Sequence, residues 1–199
     1  MLLNDYLDSI KTTPLNSLNK PWVSEKLIND EFLSNIYPDA KAEEWKYFNT
    51  KFFMEKEWKL LRNTNDLSFQ KIKDKSKNSL VIKNGFLDET QSTISSKNKI
   101  NIFKLKDYYK KNKSIIDKIY SDSNKYSENR ISGFKDCKTI KLLSLNSLLN
   151  EGIVIDIPPN TINDIDLYIC NYITTEETLI NPYILIIAGE NSETKIIDL

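Results

Sequence analysis

The sequence predicts an α+β protein, with helices concentrated in residues 1–150 and strands in residues 151–199. Two observations support this division. Apolar residues recur at helical spacing in the first part of the chain, whereas β-branched residues run together or alternate after Gly152. No internal repeat is evident.

Four segments of the first part are predicted as helices. Leu2 to Ile10 and Pro21 to Ile36 both place apolar residues three or four positions apart, and Pro21 suits a first helical turn. Residues 106–120 repeat the pattern among lysines, and Ser144 is a suitable N-cap for a short helix ending near Leu149. A hairpin interrupts the helices at Leu80–Leu87, because Asn84-Gly85 accepts positive φ at both central turn positions.

The last part contains four predicted strands. They are Ile153–Ile157, closed by Pro158-Pro159, then Ile165–Ile173, Tyr183–Ala188 and Thr194–Ile197. The third is apolar on both faces, as in a covered strand. Such strands fit a sandwich, a barrel or the first coils of a β-helix. Since the last strand ends beside Leu199 with no polar cap, we expect the sequence to be cut within a domain.

Composition excludes several function classes. The 28 basic and 28 acidic residues cancel, and only Arg62 and Arg130 are arginines, which disfavours specific nucleic-acid recognition. The chain has no histidine, so Ser-His-Asp and Cys-His catalysis are excluded within it. Two cysteines cannot supply the four thiolates that an iron–sulfur cluster usually takes. No targeting segment or spanning apolar run is visible, which predicts a cytoplasmic protein.

Three features were considered as sites. Cys170 shares a predicted strand face with Asp166 and could form a metal-ligand pair, but a buried thiol is the commoner role. Cys137 has no partner at ligand spacing. The aromatic and basic run from Tyr108 to Lys113 could touch single-stranded nucleic acid, or could be a solvated helix face.

The most distinctive segment is Ala42–Tyr47, in which acidic residues precede two large aromatic ones. Its last five residues, Glu43-Glu44-Trp45-Lys46-Tyr47, resemble the Glu-x-Trp-Lys/Arg-Tyr signature of the SufD family, and the candidate motif residues are Glu44, Trp45, Lys46 and Tyr47. Three further segments resemble that family in the same order: Leu80–Leu87; Leu145–Leu149 with Gly152 and the strand to Pro158; and Pro182–Ile187 through Asp198. The related SufB family lacks the first signature, so SufD is the better match.

The resemblance implies a fold, partners and a role. It implies a helical N-terminal domain over residues 1–150, with the hairpin near 80–87, followed over residues 151–199 by the first coils of a right-handed parallel β-helix. It also implies a scaffold subunit that works with SufB and the ATPase SufC in building iron–sulfur clusters. The family's cluster-forming and SufC-docking regions would lie beyond Leu199, so no catalytic, cofactor-binding or metal residue is carried over. Glu44 to Tyr47 transfer only as a structural motif.

Two alternatives remain beside this non-enzymatic scaffold. One is a carbohydrate-active β-helix protein, which would need clustered carboxylates or basic residues on one sheet face. The other is a helical protein-interaction module with a β appendix. Co-purification with SufB and SufC would separate the three.

Overall fold

The computed structural model describes residues 2, 5, 47, 49–60, 78–119, 152–180 and 182–199. The chain divides into two compact units. One comprises Met1–Lys59 and Tyr109–Leu149, and the other comprises Leu60–Tyr108 and Asn150–Leu199. The boundary predicted between residues 150 and 151 stays a prediction.

Short strands make up most of the described secondary structure. In chain order the elements are α1 (Thr50–Glu55), β1 (Lys59–Leu60), β2 (Ser79–Lys83), β3 (Phe86–Leu87), β4 (Asn101–Lys104), α2 (Leu105–Lys111), α3 (113–119), β5 (Ile153–Ile157), β6 (Leu167–Tyr172), β7 (Thr178–Leu179), β8 (Ile184–Ala188) and β9 (Ile196–Asp198).

Two mixed sheets form the framework of the second unit. One has the strand order β3-β2-β6-β9 and the other the order β4-β5-β8. β2 pairs with β6, β6 with β9 and β5 with β8 in parallel, whereas β2–β3 and β4–β5 are antiparallel. In each strand order, the first two strands therefore pair antiparallel and all later neighbours pair in parallel.

Alternate residues of the two sheets share one apolar core. It contains Leu80, Ile82, Ile100, Ile153, Ile155, Ile157, Leu167 and Ile169, all of them buried. Each such side chain contributes roughly 1.5–3 kcal/mol when it leaves water. The alternation predicted for Ile165–Ile173 thus places Leu167 and Ile169 in this core.

The hairpin predicted at Leu80–Leu87 is present. Asn84 and Gly85 both have positive φ, at 51° and 85°, and β2 pairs with β3 on either side of them. Asn84 is also held by its side chain, which exchanges hydrogen bonds with Thr174 at 2.8 and 2.9 Å. The Asn-Gly pair therefore fixes the local turn, and the amide of Asn84 ties that turn to the chain after β6.

The turn after β5 is hydrogen-bonded to the turn after β8. Asn191 donates to the side-chain oxygen of Asn160 at 3.2 Å, and both residues have positive φ. Ile162 forms a parallel bridge with Glu193, and the Asn163 amide donates to Thr194 at 2.7 Å. The paired residues of these two turns are therefore separated along the chain by the same number of positions as the paired residues of β5 and β8.

The helices differ from the sequence prediction. Residues 106–120 were predicted as one helix, but α2 ends at Lys111 and α3 begins after Asn112, whose carbonyl accepts from Ile115 and Ile116 at 3.1 and 3.3 Å. Asn49 caps α1 by accepting from the Phe52 N–H at 3.0 Å. The helices predicted at Leu2–Ile10, Pro21–Ile36 and Ser144–Leu149 lie outside the described residues, apart from Leu2 and Asp5.

The predicted fold class is wrong. The described residues are mostly strands in mixed sheets, with short helices, and they show neither a helical N-terminal domain nor a right-handed parallel β-helix. The predicted parallel arrangement fails at β3 and β4. β3 lies antiparallel to β2, because the tight Asn-Gly turn between them reverses the chain. β4 lies antiparallel to β5.

Candidate functional site

Of the four residues in the family-like signature, the structure describes only Tyr47. Its side chain lies in a turn and is 93% exposed. Glu44, Trp45 and Lys46 lie outside the described residues. Their role as a structural motif stays a prediction.

The structure does not bring Asp166 and Cys170 together. Asp166 precedes β6 and accepts a hydrogen bond from Lys195 at 2.8 Å, whereas Cys170 lies within β6 opposite Val81. Four residues along a strand span about 13 Å, too far for ligands of one ion. Cys170 is only 8% exposed, and its role as a thiol without a metal stays a prediction. Cys137 lies outside the described residues.

The tyrosines of the Tyr108–Lys113 run are buried. Tyr108 directs its hydroxyl to Asp156 at 3.4 Å in the second unit, and Tyr109 directs its own to Asp117 at 3.2 Å in the first. Stacking on nucleic-acid bases needs an exposed ring face. These two rings therefore offer no stacking platform.

Four described groups have shifted pKa values, and all four shifts are upward. Burial, followed by the charge of Asp156, raises the pKa of Tyr108, and burial raises the pKa of Tyr172. Hydrogen bonds to Asp166 and Asp117 raise the pKa of Lys195 and of Lys113. Each shift moves its group further from neutrality, so all four hold their protons more firmly at pH 7.

The described residues of the second unit line a cleft of about 360 Å³, here called the β3–β4 cleft. The apolar part of its lining consists of Leu80, Leu87, Ile94, Ile102 and Phe103, and Ser92 also lines it. The charged residues that line it are Glu89, Lys104 and Asp107, and the Lys104 ammonium lies 3.1 Å from the Glu89 carboxylate. The volume lies at the lower end of the range for ligand pockets.

The sequence alone did not indicate this cleft. Its walls come from β2, β3, β4 and the loop between β3 and β4. β4 was not predicted, because Asn101–Lys104 is four residues long and shows no alternation of apolar and polar residues. The available signal was the spacing of Ile94, Ile100 and Ile102 in an otherwise polar stretch.

The described ranges contain neither a metal-binding cluster nor a membrane-spanning helix. No group of three or more Cys, Asp or Glu side chains in the described part of the chain could hold a metal ion. Among those same residues, no helix combines the length and the apolar character needed to cross a membrane.

Comparison with known proteins gives no family. No protein-family model and no curated protein matches this chain.

Proposed function

We propose that this chain is a scaffold subunit of Suf-type iron–sulfur cluster assembly, acting in the cytoplasm with SufB and the ATPase SufC. The observation that carries the proposal is the order of four SufD-like segments, from Glu44–Tyr47 to Pro182–Asp198. The cluster is cargo built by the complex, and this chain contributes contacts rather than catalysis.

The placement of three of those segments supports the proposal. Leu80–Leu87 supplies most of β2, the turn and β3; Gly152–Pro158 contains β5; and Pro182–Ile187 contains most of β8. β5 and β8 pair directly, from Ile153 opposite Ile184 to Ile157 opposite Ala188. Among the described residues, those of the resembling segments thus lie largely in strands, which suits a scaffold role.

The electrostatics favour a binding role over an enzymatic one. A general acid or base works best when its pKa lies near the working pH. The shifted groups among the described residues, Tyr108, Tyr172, Lys113 and Lys195, all have their pKa moved upward and away from neutrality. Tyr108, Lys195 and Lys113 interact with Asp156, Asp166 and Asp117, whereas the shift at Tyr172 comes first from burial.

Co-purification tests the proposal. The full chain, tagged, is co-expressed with untagged SufB and SufC from the same organism and recovered in 0.5 M salt, which screens adventitious surface charge. SufB and SufC are expected to elute with it in fixed ratio. Baits carrying SufB alone or SufC alone show which contact is direct.

The chain's fold is checked by circular dichroism in the same preparation. If a folded chain recovers neither SufB nor SufC, the proposed function is wrong. Recovery that depends on the tag, or that disappears in 0.5 M salt, counts against it equally.

A further inference from the structure

The turn between β2 and β3 contains Asn84-Gly85, the one Asn-Gly pair in the sequence. An Asn-Gly pair is chemically labile, because glycine has no side chain to hinder its own backbone nitrogen. That nitrogen can attack the side-chain carbonyl carbon of the asparagine, which forms a succinimide ring and expels ammonia. Water then opens the ring to aspartate or isoaspartate. The two residues that make this turn are therefore also those that deamidation requires.

Three hydrogen bonds hold Asn84 against the chain at the end of β6. Its backbone N–H donates to the Tyr172 carbonyl at 2.8 Å. Its side-chain amide donates to Thr174 Oγ1 at 2.9 Å, and its Oδ1 accepts from the Thr174 N–H at 2.8 Å. These three bonds are here called the Asn84 clamp. Ring closure would bring the amide carbon to bonding distance of the Gly85 nitrogen, and the two side-chain bonds of the clamp oppose this movement.

Burial protects the same amide from water. Asn84 is 3% exposed. Deamidation needs water twice, first to take up the expelled ammonia and then to open the succinimide ring. A buried and doubly bonded amide reacts after a local opening that breaks its hydrogen bonds and admits solvent, so the free energy of that opening sets the rate.

We propose that Asn84 is a deamidation site kept closed by the Asn84 clamp, so that its reaction records each separation of the β2–β3 turn from the chain after β6. The bond that forms joins the Gly85 nitrogen to Asn84 Cγ, and the bond that breaks is Cγ–Nδ2. The Gly85 proton leaves with the ammonia, and water is consumed when the ring opens. No oxidant or reductant takes part, and no part of the proposed function is required.

The product does not rebuild the clamp. A carboxylate in place of the amide has no N–H to donate to Thr174 Oγ1, and its charge would have to be buried where Asn84 is 3% exposed. Isoaspartate also lengthens the backbone of the turn by one methylene group. Deamidation therefore leaves the hairpin loosened after the opening that allowed it.

The rate of deamidation in folded and unfolded chain tests the inference. The full chain is incubated at pH 8 and 37 °C, in buffer and in 6 M guanidinium chloride, and mass spectrometry of the peptide that contains Asn84-Gly85 follows the reaction. We expect the folded chain to react slower by about tenfold or more, which corresponds to an opening free energy of at least about 1.4 kcal/mol.

Three variants test the clamp itself. Thr174→Val keeps the shape of the side chain but removes Oγ1, and should raise the folded rate about fivefold, the effect of one hydrogen bond of about 1 kcal/mol. Thr174→Ser keeps the hydroxyl and should react at the unmodified rate. Thr194→Val is the matched control, because Thr194 Oγ1 accepts from the Asn163 amide at 2.7 Å in a different turn. Circular dichroism checks the fold of each variant.

The deamidated chain carries one more negative charge and is separated by anion exchange. In it the Asp88 N–H, which donates to the Val81 carbonyl at 2.9 Å beside the hairpin, should exchange with solvent faster than in the unmodified chain. This measurement and the comparison in guanidinium chloride need no variant. Equal rates in buffer and guanidinium chloride would overturn the inference. So would equal rates in Thr174→Val and Thr194→Val, or unchanged exchange of Asp88 after deamidation.

Discussion

Two buried asparagines in the second unit show how differently one residue type can be accommodated. Asn78 is 4% exposed and Asn98 is 7% exposed. The Asn78 amide donates to the Asp166 carbonyl at 3.1 Å and its oxygen accepts from the Ser95 N–H at 3.0 Å. Neither polar atom of the Asn98 side chain has a hydrogen-bond partner. The two side chains are therefore similarly buried but differ in their hydrogen bonding.

Asn78→Leu and Asn98→Leu should therefore have different effects on stability. Asn78→Leu leaves the part-buried Ser95 N–H and Asp166 carbonyl without their partner, and should lower the free energy of unfolding by about 1–3 kcal/mol. The second replaces an unsatisfied amide by an apolar group of similar size, and should be neutral or stabilising. Urea unfolding of both variants measures the difference. An equal loss in Asn98→Leu would show that its amide is bonded, for example to an ordered water.

Tyr108 links the stability of the second unit to alkaline pH. Its pKa is raised above the ordinary 10.0 by burial and by Asp156, so the folded state holds the proton more tightly than the unfolded state. The contribution is complete below pH 10 and is lost as the pH rises through the folded pKa. The free energy of unfolding should accordingly fall above pH 10.

Tyr108→Phe should make that fall shallower, although Tyr172, whose pKa is also raised, keeps part of it. The measurement is the unfolding free energy in urea at pH 9 and at pH 11. Tyr47→Phe is the control, because the Tyr47 ring is almost fully exposed. If the free energy of unfolding falls between pH 9 and pH 11 as much in Tyr108→Phe as in the unmodified chain, Tyr108 does not cause the pH dependence.

At the scale of elements, Gly189 decides how closely the turns after β5 and β8 can approach. A β-carbon at Gly189 would lie 2.4 Å from the Pro159 nitrogen and 2.7 Å from its α-carbon. Both neighbours are backbone atoms of a proline, so neither can rotate away. The Gly189 N–H also donates to the Ile157 carbonyl at 2.8 Å, which fixes its own position.

Gly189→Ala should lower the free energy of unfolding by about 1–3 kcal/mol, as overpacking does in a closed site. Glu190→Ala, the exposed neighbour, should change it by less than about 0.5 kcal/mol. Thermal or urea unfolding of the two variants gives the comparison. If Gly189→Ala and Glu190→Ala have equal free energies of unfolding, the two turns can move apart without destabilising the fold.

The elements that the sequence predicted correctly carry strong local signals. Asn84-Gly85 identifies the hairpin, and the β-branched residues of Ile153–Ile157 identify β5. β8 is only partly as predicted. It is a strand, but it is not covered on both faces, since Ile186 is 49% exposed although its neighbour Ile155 is fully buried. Propensity predicts a strand, whereas burial depends on which strands lie beside it.

Pairing at long range could not be predicted. β2 lies beside β6, with Leu80 opposite Ile169, and nothing near either residue specifies the other. The same limit explains the missed cleft and the wrong fold class. Both depend on where β3 and β4 pack, and those strands have only two and four residues. Burial of Cys170 could not be read from the strand pattern either, because the alternation places it on the face of Asp166 and Tyr168 rather than on the apolar face.

At the scale of the whole molecule, the proposal assigns cluster chemistry to the complex, and this makes a prediction for the chain alone. After anaerobic reconstitution with iron and sulfide, the isolated chain should hold no stoichiometric iron–sulfur cluster. Its two cysteines supply fewer thiolates than a cluster usually takes, and Cys170 is buried. Iron content per chain and visible absorption are the measurements.

Cys170→Ser and Cys137→Ser are the matched controls for this experiment. Neither should change the small amount of iron that adheres nonspecifically. A stoichiometric absorption band in the unmodified chain that disappears in Cys170→Ser would contradict the prediction and make this chain a cluster ligand in its own right.

The pairing of β2 with β6 also has a consequence during synthesis. Ser79–Lys83 is buried along its whole length, but the partner that covers it arrives late, since Asn78 bonds with Asp166, 88 residues further along. At 5–20 residues per second a ribosome needs roughly 4–18 s to make that interval. The hairpin with β3 can close at once, whereas the other edge of β2 waits for translation to reach Leu167–Tyr172. A nascent chain of this protein therefore carries an apolar strand that is available to chaperones for several seconds.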